Sequence, residues 1–288
     1  MTAATALLLL ALPLAAQDFE KFQVDRASGN HIFTEGPAWS RDGYLVFSDI
    51  PRNVLLKMTP GAPIETLRED SGGAAGNAFD SQGRLYTCET HTRRVVRTGK
   101  KGALDVLADK WEGKRLNAPN DITVRKDGNV YFTDPAFGEQ ADTRELDFYG
   151  VFRISPKGDL SLVSKSQTRP NGIALSPNGK ILYVANSDER NVRAYDLDRN
   201  GEASNARIVI ASIEGVPDGI RTDEKGNLYV AARQVYVYTP EGKRLGEVPL
   251  SETPSNIAFG DPDLGTLYIT ARTTVYSVRL KVKGALPY

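Results

Sequence analysis

Cysteine, histidine and long apolar helices are what this chain has least of. A single cysteine, Cys88, rules out an intramolecular disulfide, so stability must come from packing. The two histidines, His31 and His91, do not fit the usual spacings of an imidazole metal site. No G-x-S-x-G elbow, phosphate-binding P-loop or H-E-x-x-H pair occurs, which removes the serine hydrolases, the P-loop enzymes and the zinc peptidases. An excess of one charge is also missing. The 36 Lys plus Arg balance 36 Asp plus Glu, so no global field favours nucleic acid or an anionic membrane. The one basic cluster, Arg93, Arg94, Arg97, Lys100 and Lys101, reads as a solvated outer face. Cys88 reads as a buried strand thiol rather than a nucleophile.

The longest apolar run, Ala6 to Ala16, is too short to span a bilayer. With Ala15 and Ala16 ahead of the first charge, Asp18, it has the apolar core and cleavage region of a secretory signal, although no basic residue precedes it. Residues 1–17 are therefore read as an export signal and residues 18–288 as one domain, periplasmic or secreted, without a membrane span. At 40% apolar residues the chain can bury a large core.

What the sequence has is a repeat. A glycine followed by an apolar or aromatic strand recurs at Gly43, Gly83, Gly128, Gly179, Gly226 and Gly265, spaced by 40, 45, 51, 47 and 39 residues. That period belongs to propeller blades rather than to shorter solenoid repeats. Pairs such as Asp42-Gly43, Asp127-Gly128 and Asn178-Gly179 sit between apolar runs and predict hairpin turns. Three to four strands per copy, frequent Gly and Pro, and no sustained helical period predict an all-β, six-bladed β-propeller. Closing the ring needs a strand from one terminus, and Phe22-Gln23-Val24 is the candidate to pair beside Thr274 to Val278.

Glu35, Asn120, Asn171 and Asp218 each stand eight residues before a turn glycine, at Gly43, Gly128, Gly179 and Gly226. Pseudo-symmetry then brings the four together near the propeller axis. Two carboxylates and two amide carbonyls, without sulfur or imidazole, suit a hard divalent cation, Ca²⁺ first, with Zn²⁺, Mg²⁺ or Mn²⁺ as substitutes. In the other two repeats the slot holds Ala75, which leaves an open side, and comes within one residue of Asn256. Any single motif of this kind reads first as an ordinary turn former. Four in register, one of them a glutamate, are not.

The runs Glu35-Gly36-Pro37-Ala38-Trp39, Pro119-Asn120-Asp121, Pro170-Asn171-Gly172 and Pro217-Asp218-Gly219 resemble those of the senescence-marker-protein, gluconolactonase and regucalcin family. The likeness covers nearly all of residues 32 to 275. It implies a six-bladed propeller in which Glu35, Asn120, Asn171 and Asp218 surround a divalent metal, and it implies hydrolysis of a sugar lactone by metal-polarised attack of water. Family precedent makes Asp218 the first candidate for the base. Its weakness is that a metal-bound carboxylate is a poorer base. Asp121 and Asp134, expected at the same rim, are the alternatives. Arg115 and Asn117, with Asn120, are candidates to hold sugar hydroxyls, while Trp39 is expected to pack between blades. The run Cys88-Glu89-Thr90-His91 departs from a Cys-Glu-His run of some gluconolactonases by one place, so no role is carried over to His91. Substrate choice is assigned to the loops Phe137 to Phe148 and Glu89 to Arg93. Two other functions stay open: an organophosphate or aryl-ester hydrolase on the same site, and a non-enzymatic Ca²⁺-binding propeller.

Overall fold

Alternating apolar strands punctuated by left-handed glycines give six four-stranded antiparallel sheets in the computed structural model, which describes residues 23–99, 102–166 and 168–285. Five sheets come from consecutive strands, within residues 34–68, 74–108, 122–166, 170–210 and 220–248. The sixth uses strands from residues 254–279 and takes its outer strand, Val24–Ser28, from the other end of the chain. Val24 pairs with Val278 and Asp25 with Ser277, so the ring closes beside the expected strand, but the closing strand runs from Val24 to Ser28 and Gln23 is not part of it. The first strands of the sheets pack against one another in cyclic order, which makes the sheets blades of a six-bladed β-propeller. The export-signal stretch 1–17, Phe22, Lys100 and Lys101 lie outside the described residues. Among the described residues no helix is long and apolar enough to cross a membrane.

The turn prediction holds in five blades for a specific reason. Gly43, Gly83, Gly128, Gly179 and Gly226 all have positive φ, and each donates its N–H to the carbonyl three residues earlier. Only glycine takes that conformation without strain. The sixth blade differs: Leu264, with φ of 56°, donates to Asp261 O in place of Gly265. The Asp261-Pro262-Asp263 insertion shifts the turn by one residue, which also accounts for the displaced register of Asn256.

The core is divided among the blade interfaces. Six apolar clusters each join two neighbouring blades, including the pair formed by the first and last. Trp39 lies in the closing interface, stacked on Tyr268 at 5.6 Å, so it packs between blades as expected. In the cluster between the second and third blades Phe132 stacks on Phe152 at 5.4 Å, both fully buried. Each such aromatic contributes a few kcal/mol of burial.

Hydroxyls supplement these interfaces. Ser48 donates to Ala75 O at 2.8 Å and Thr133 to Asn171 O at 2.7 Å, each from a second strand to the next blade's first strand. Both stand five residues after a turn glycine, and Cys88 holds the same slot, with Sγ 3.7 Å from Asp121 O. Burial, and then Asp121, Asp134 and Glu89, push the Cys88 thiol well above its usual range, as a packing thiol requires.

Candidate active site

The donor slot lies at a kink in the first strand in four blades and just ahead of that strand in the third and fifth. In four blades the pairing with the second strand slips there, between Glu35 and Ala38, Ala74 and Asn77, Pro170 and Ile173, and Pro254 and Asn256. Such bulges turn a side chain out of the regular pleat. In the third and fifth blades backbone bonds hold the place instead, Asn120 N–H to Thr133 O at 2.9 Å and Asp218 N–H to Ala231 O at 2.8 Å.

Contact between blades accounts for the glycine that follows most donors. Gly76 donates its N–H to Asn120 O at 2.7 Å, Gly172 to Asp218 O at 3.0 Å and Gly219 to Ser255 O at 2.8 Å. A Cβ at Gly36 would stand 1.8 Å from Ala75 O, and one at Gly172 would stand 2.1 Å from Asp218 O. A side chain at either place would force the blades apart. In the third blade Asp121 replaces this glycine and reaches across, accepting the Ile173 N–H at 3.0 Å and Arg221 Nη1 at 3.2 Å.

Glu35, Asn120, Asn171 and Asp218 accordingly line one cavity of about 310 Å³. Three of them present a buried oxygen with no hydrogen-bond partner: Glu35 Oε2, Asn120 Oδ1 and Asn171 Oδ1. Glu35 and Asn171 are tied down through their other atoms. Asn256 Nδ2 donates to Glu35 Oε1 at 2.9 Å, and Asn171 Nδ2 donates to Ser187 Oγ at 3.1 Å. Leaving a buried oxygen unpaired costs roughly 1–3 kcal/mol, so three aimed into one cavity call for a cation or for water. Burial first, and then repulsion from Asp121, raises the Glu35 carboxyl. Burial, then Glu35 and Asp121, raises that of Asp218. A divalent cation among these oxygens would relieve both effects. Among the described residues no group of three His, Cys, Asp or Glu side chains suits a metal, and the present set differs in that half its donors are amides.

The remaining predicted site residues are placed differently. Asp134 is fully buried and does not line the cavity; its carboxylate accepts the N–H groups of Asn117 and Ala118, both at 2.8 Å. Asn117, also fully buried, donates to Asp134 O at 3.0 Å and Phe148 O at 2.9 Å. The pair braces the loop that carries Ala118 and Asn120 to the cavity. Asp121 is outside the cavity lining, fully buried and bound to the fourth and fifth blades. Arg115 is exposed, and its guanidinium pairs with Glu145 outside the cavity lining. The reason is common to all four: contacts made across loops and blades hold these side chains in place, and local spacing does not register such contacts.

Residues without a motif complete the wall. Phe33, Ile50 and Phe137 are its apolar part; Thr90, His91 and Gln140 are polar. Two of the contributing stretches are the loops to which substrate choice was assigned. Phe137 carries the Arg169 guanidinium 4.8 Å above its ring, and Arg169 is paired with Asp188. Ile50 and Thr90 directly follow the second strands Tyr44–Asp49 and Leu85–Glu89, which end opposite the donor slots, and that register was the available signal.

Comparison with known proteins agrees with the fold. Residues 33–273 match the model of the SMP-30/Gluconolactonase/LRE-like region. The chain is 35% identical to the gluconolactonase of Zymomonas mobilis, over 88% of this chain and 80% of that protein. It is 27% identical to the pentonolactonase XacC of Haloferax volcanii, over 82% of this chain and 80% of that one. The solved gluconolactonase XC5397 of Xanthomonas campestris superposes with a TM-score of 0.85 at 32% identity, covering 93% of this chain and 92% of the other. The family-model match, the sequence identity and the shared propeller fold together make this chain a member of the SMP-30/gluconolactonase/LRE-like family.

Proposed function

We propose that the protein is a metal-dependent hydrolase that opens a sugar lactone by attack of water, with Ca²⁺ the cation best suited to its donors and Zn²⁺, Mg²⁺ or Mn²⁺ as alternatives. The observation that carries this reading is the set of partnerless buried oxygens on Glu35, Asn120 and Asn171, gathered with Asp218 around one open cavity. The gluconolactonase and pentonolactonase relatives support the substrate class.

When bound, the cation would polarise the lactone carbonyl and stabilise charge developing on its oxygen. The chain's own residues do the rest. Asn256 fixes Glu35 so that one carboxylate oxygen faces the cavity. Asp218, the less buried of the two carboxylates, is placed to accept a proton from the attacking water. Asn120 reaches both the donor set and the substrate space. Phe33, Ile50 and Phe137 displace water from the face where the sugar ring would lie. Asp134 and Asn117 act at a distance, by holding the loop that presents Asn120. Export through residues 1–17 belongs to the same proposal and places the activity outside the cytoplasm.

Acid release from glucono-1,5-lactone above the spontaneous rate tests the reading, with chelated protein and then with each metal restored. Turnover should vanish on chelation, return with Ca²⁺, and fall at least about 10²-fold in Asp218→Asn. Full activity in both chelated and substituted protein would refute it, as would turnover confined to organophosphates or aryl esters. N-terminal sequencing of the protein from the culture medium or periplasm should begin near residue 18.

A further inference from the structure

Among the eleven described residues that line the cavity, those outside the donor quartet include one imidazole, His91. The other polar members are Thr90, whose hydroxyl is committed to Gly73 O at 2.9 Å, and the Gln140 amide. The His91 side chain is exposed, and its ring makes no hydrogen bond with the described residues.

The mount beneath it is rigid. Gly72 O accepts the N–H groups of His91 and Thr92 at 3.0 and 3.2 Å, and Gly73 O accepts that of Thr90 at 2.9 Å. Both glycines have positive φ, and a Cβ at Gly73 would meet the imidazole Cγ at 2.4 Å. The ring therefore lies flat on a residue that cannot carry a side chain. Glu89, buried and bound by Arg68, Arg94 and Thr92, anchors the start of the same loop. A loop pinned this firmly, yet leaving its one imidazole unpartnered at the cavity wall, is built to present that ring to a ligand.

We infer that His91 is the catalytic acid that protonates the leaving ring oxygen, an inference that rests on the lactone-hydrolase reading. Water adds to the carbonyl carbon and loses a proton to Asp218, and the carbonyl π pair moves onto its oxygen. As the adduct collapses, the carbon to ring-oxygen bond breaks and the departing oxygen takes a proton from the His91 imidazolium. The neutral ring then recovers the proton held by Asp218 through solvent. The sum is lactone plus water to hydroxy acid, with no other reactant.

Leaving-group dependence tests the inference. Aliphatic lactones expel an alkoxide and need the acid, whereas an aromatic lactone such as dihydrocoumarin expels a phenoxide and needs it far less. His91→Gln should lower kcat for glucono-1,5-lactone by about 10²–10⁴-fold while costing less than about tenfold on the aromatic lactone. His91→Ala should recover part of the lost rate when free imidazole is added. A loss under about threefold on the sugar lactone, or equal losses on both substrates with no imidazole rescue, would overturn the inference. A wild-type protein inactive on every lactone would instead remove the function reading and this step with it, an outcome told apart by the parent enzyme alone.

Discussion

Replacing Gly172 with alanine should damage stability and the site together, because one atom joins the two. The added Cβ would stand 2.1 Å from Asp218 O and 2.8 Å from Gly219 C and Cα. Ordinary contact begins at roughly 3.4 Å, so the methyl is more than about 1 Å too close to backbone. That backbone has little room to yield. Asp218 N–H is bonded to Ala231 O at 2.8 Å, Ala231 N–H to Gly219 O at 2.9 Å and Gly219 N–H to Ser255 O at 2.8 Å. The cost belongs at the upper end for overpacking, about 3 kcal/mol, with about 1 kcal/mol more for weakening the Gly172 to Asp218 bond. Restricting the unfolded chain returns roughly 0.4–1 kcal/mol. A net loss of about 3 kcal/mol lowers the melting midpoint by roughly 6–12 °C in a domain of this size. Since Asn171 and Asp218 flank the clash, a displacement of about 1 Å should also cost roughly 10²-fold in kcat/KM. Thermal melting followed by circular dichroism and lactone hydrolysis at saturating Ca²⁺ read the two effects. Gly99→Ala is the control, because its Cβ would meet nothing closer than 3.4 Å and the residue has no positive φ. Gly172→Ala with the midpoint and rate of the control would refute the reasoning.

Removing the cation with a chelator should lower the melting midpoint, and Ca²⁺ at a hundredfold its Kd should restore about 2.7 kcal/mol; Asn171→Ala should abolish most of that difference. Asp134→Ala should cost about 2–5 kcal/mol by stranding the buried N–H groups of Asn117 and Ala118, seen as a lower denaturant midpoint, whereas an unchanged midpoint with lost kcat would restore Asp134 as a catalytic candidate. Cys88→Ser should keep activity and stay within about 1 kcal/mol of the parent, because its neighbours in the slot are Ser48 and Thr133; a large loss of kcat at normal stability would argue for a chemical role. Phe152→Ala should lose about 3–5 kcal/mol by emptying the interface where it stacks on Phe132, again by denaturant melting.

Much of this protein was legible from the order of its residues. Turn glycines and alternating strands are local signals, since a left-handed φ and a two-residue period need no distant partner to be expressed, and together they determined the six blades. The convergence of Glu35, Asn120, Asn171 and Asp218 on one cavity was legible because pseudo-symmetry turns equal spacing into spatial proximity. Even the glycines that follow them carried information about blade contact that the motifs did not explain until the blades were in place. Tertiary structure decided the rest. It drew Asp134 and Asn117 into a loop brace, turned Arg115 outward to Glu145, and bound Asp121 to Ile173 and Arg221. It also set Asn256 against Glu35 and brought His91 and Phe137 to the cavity from two different loops. Each of these depends on a contact between segments distant in sequence, where packing and hydrogen-bond satisfaction, rather than any local pattern, fix which way a side chain faces.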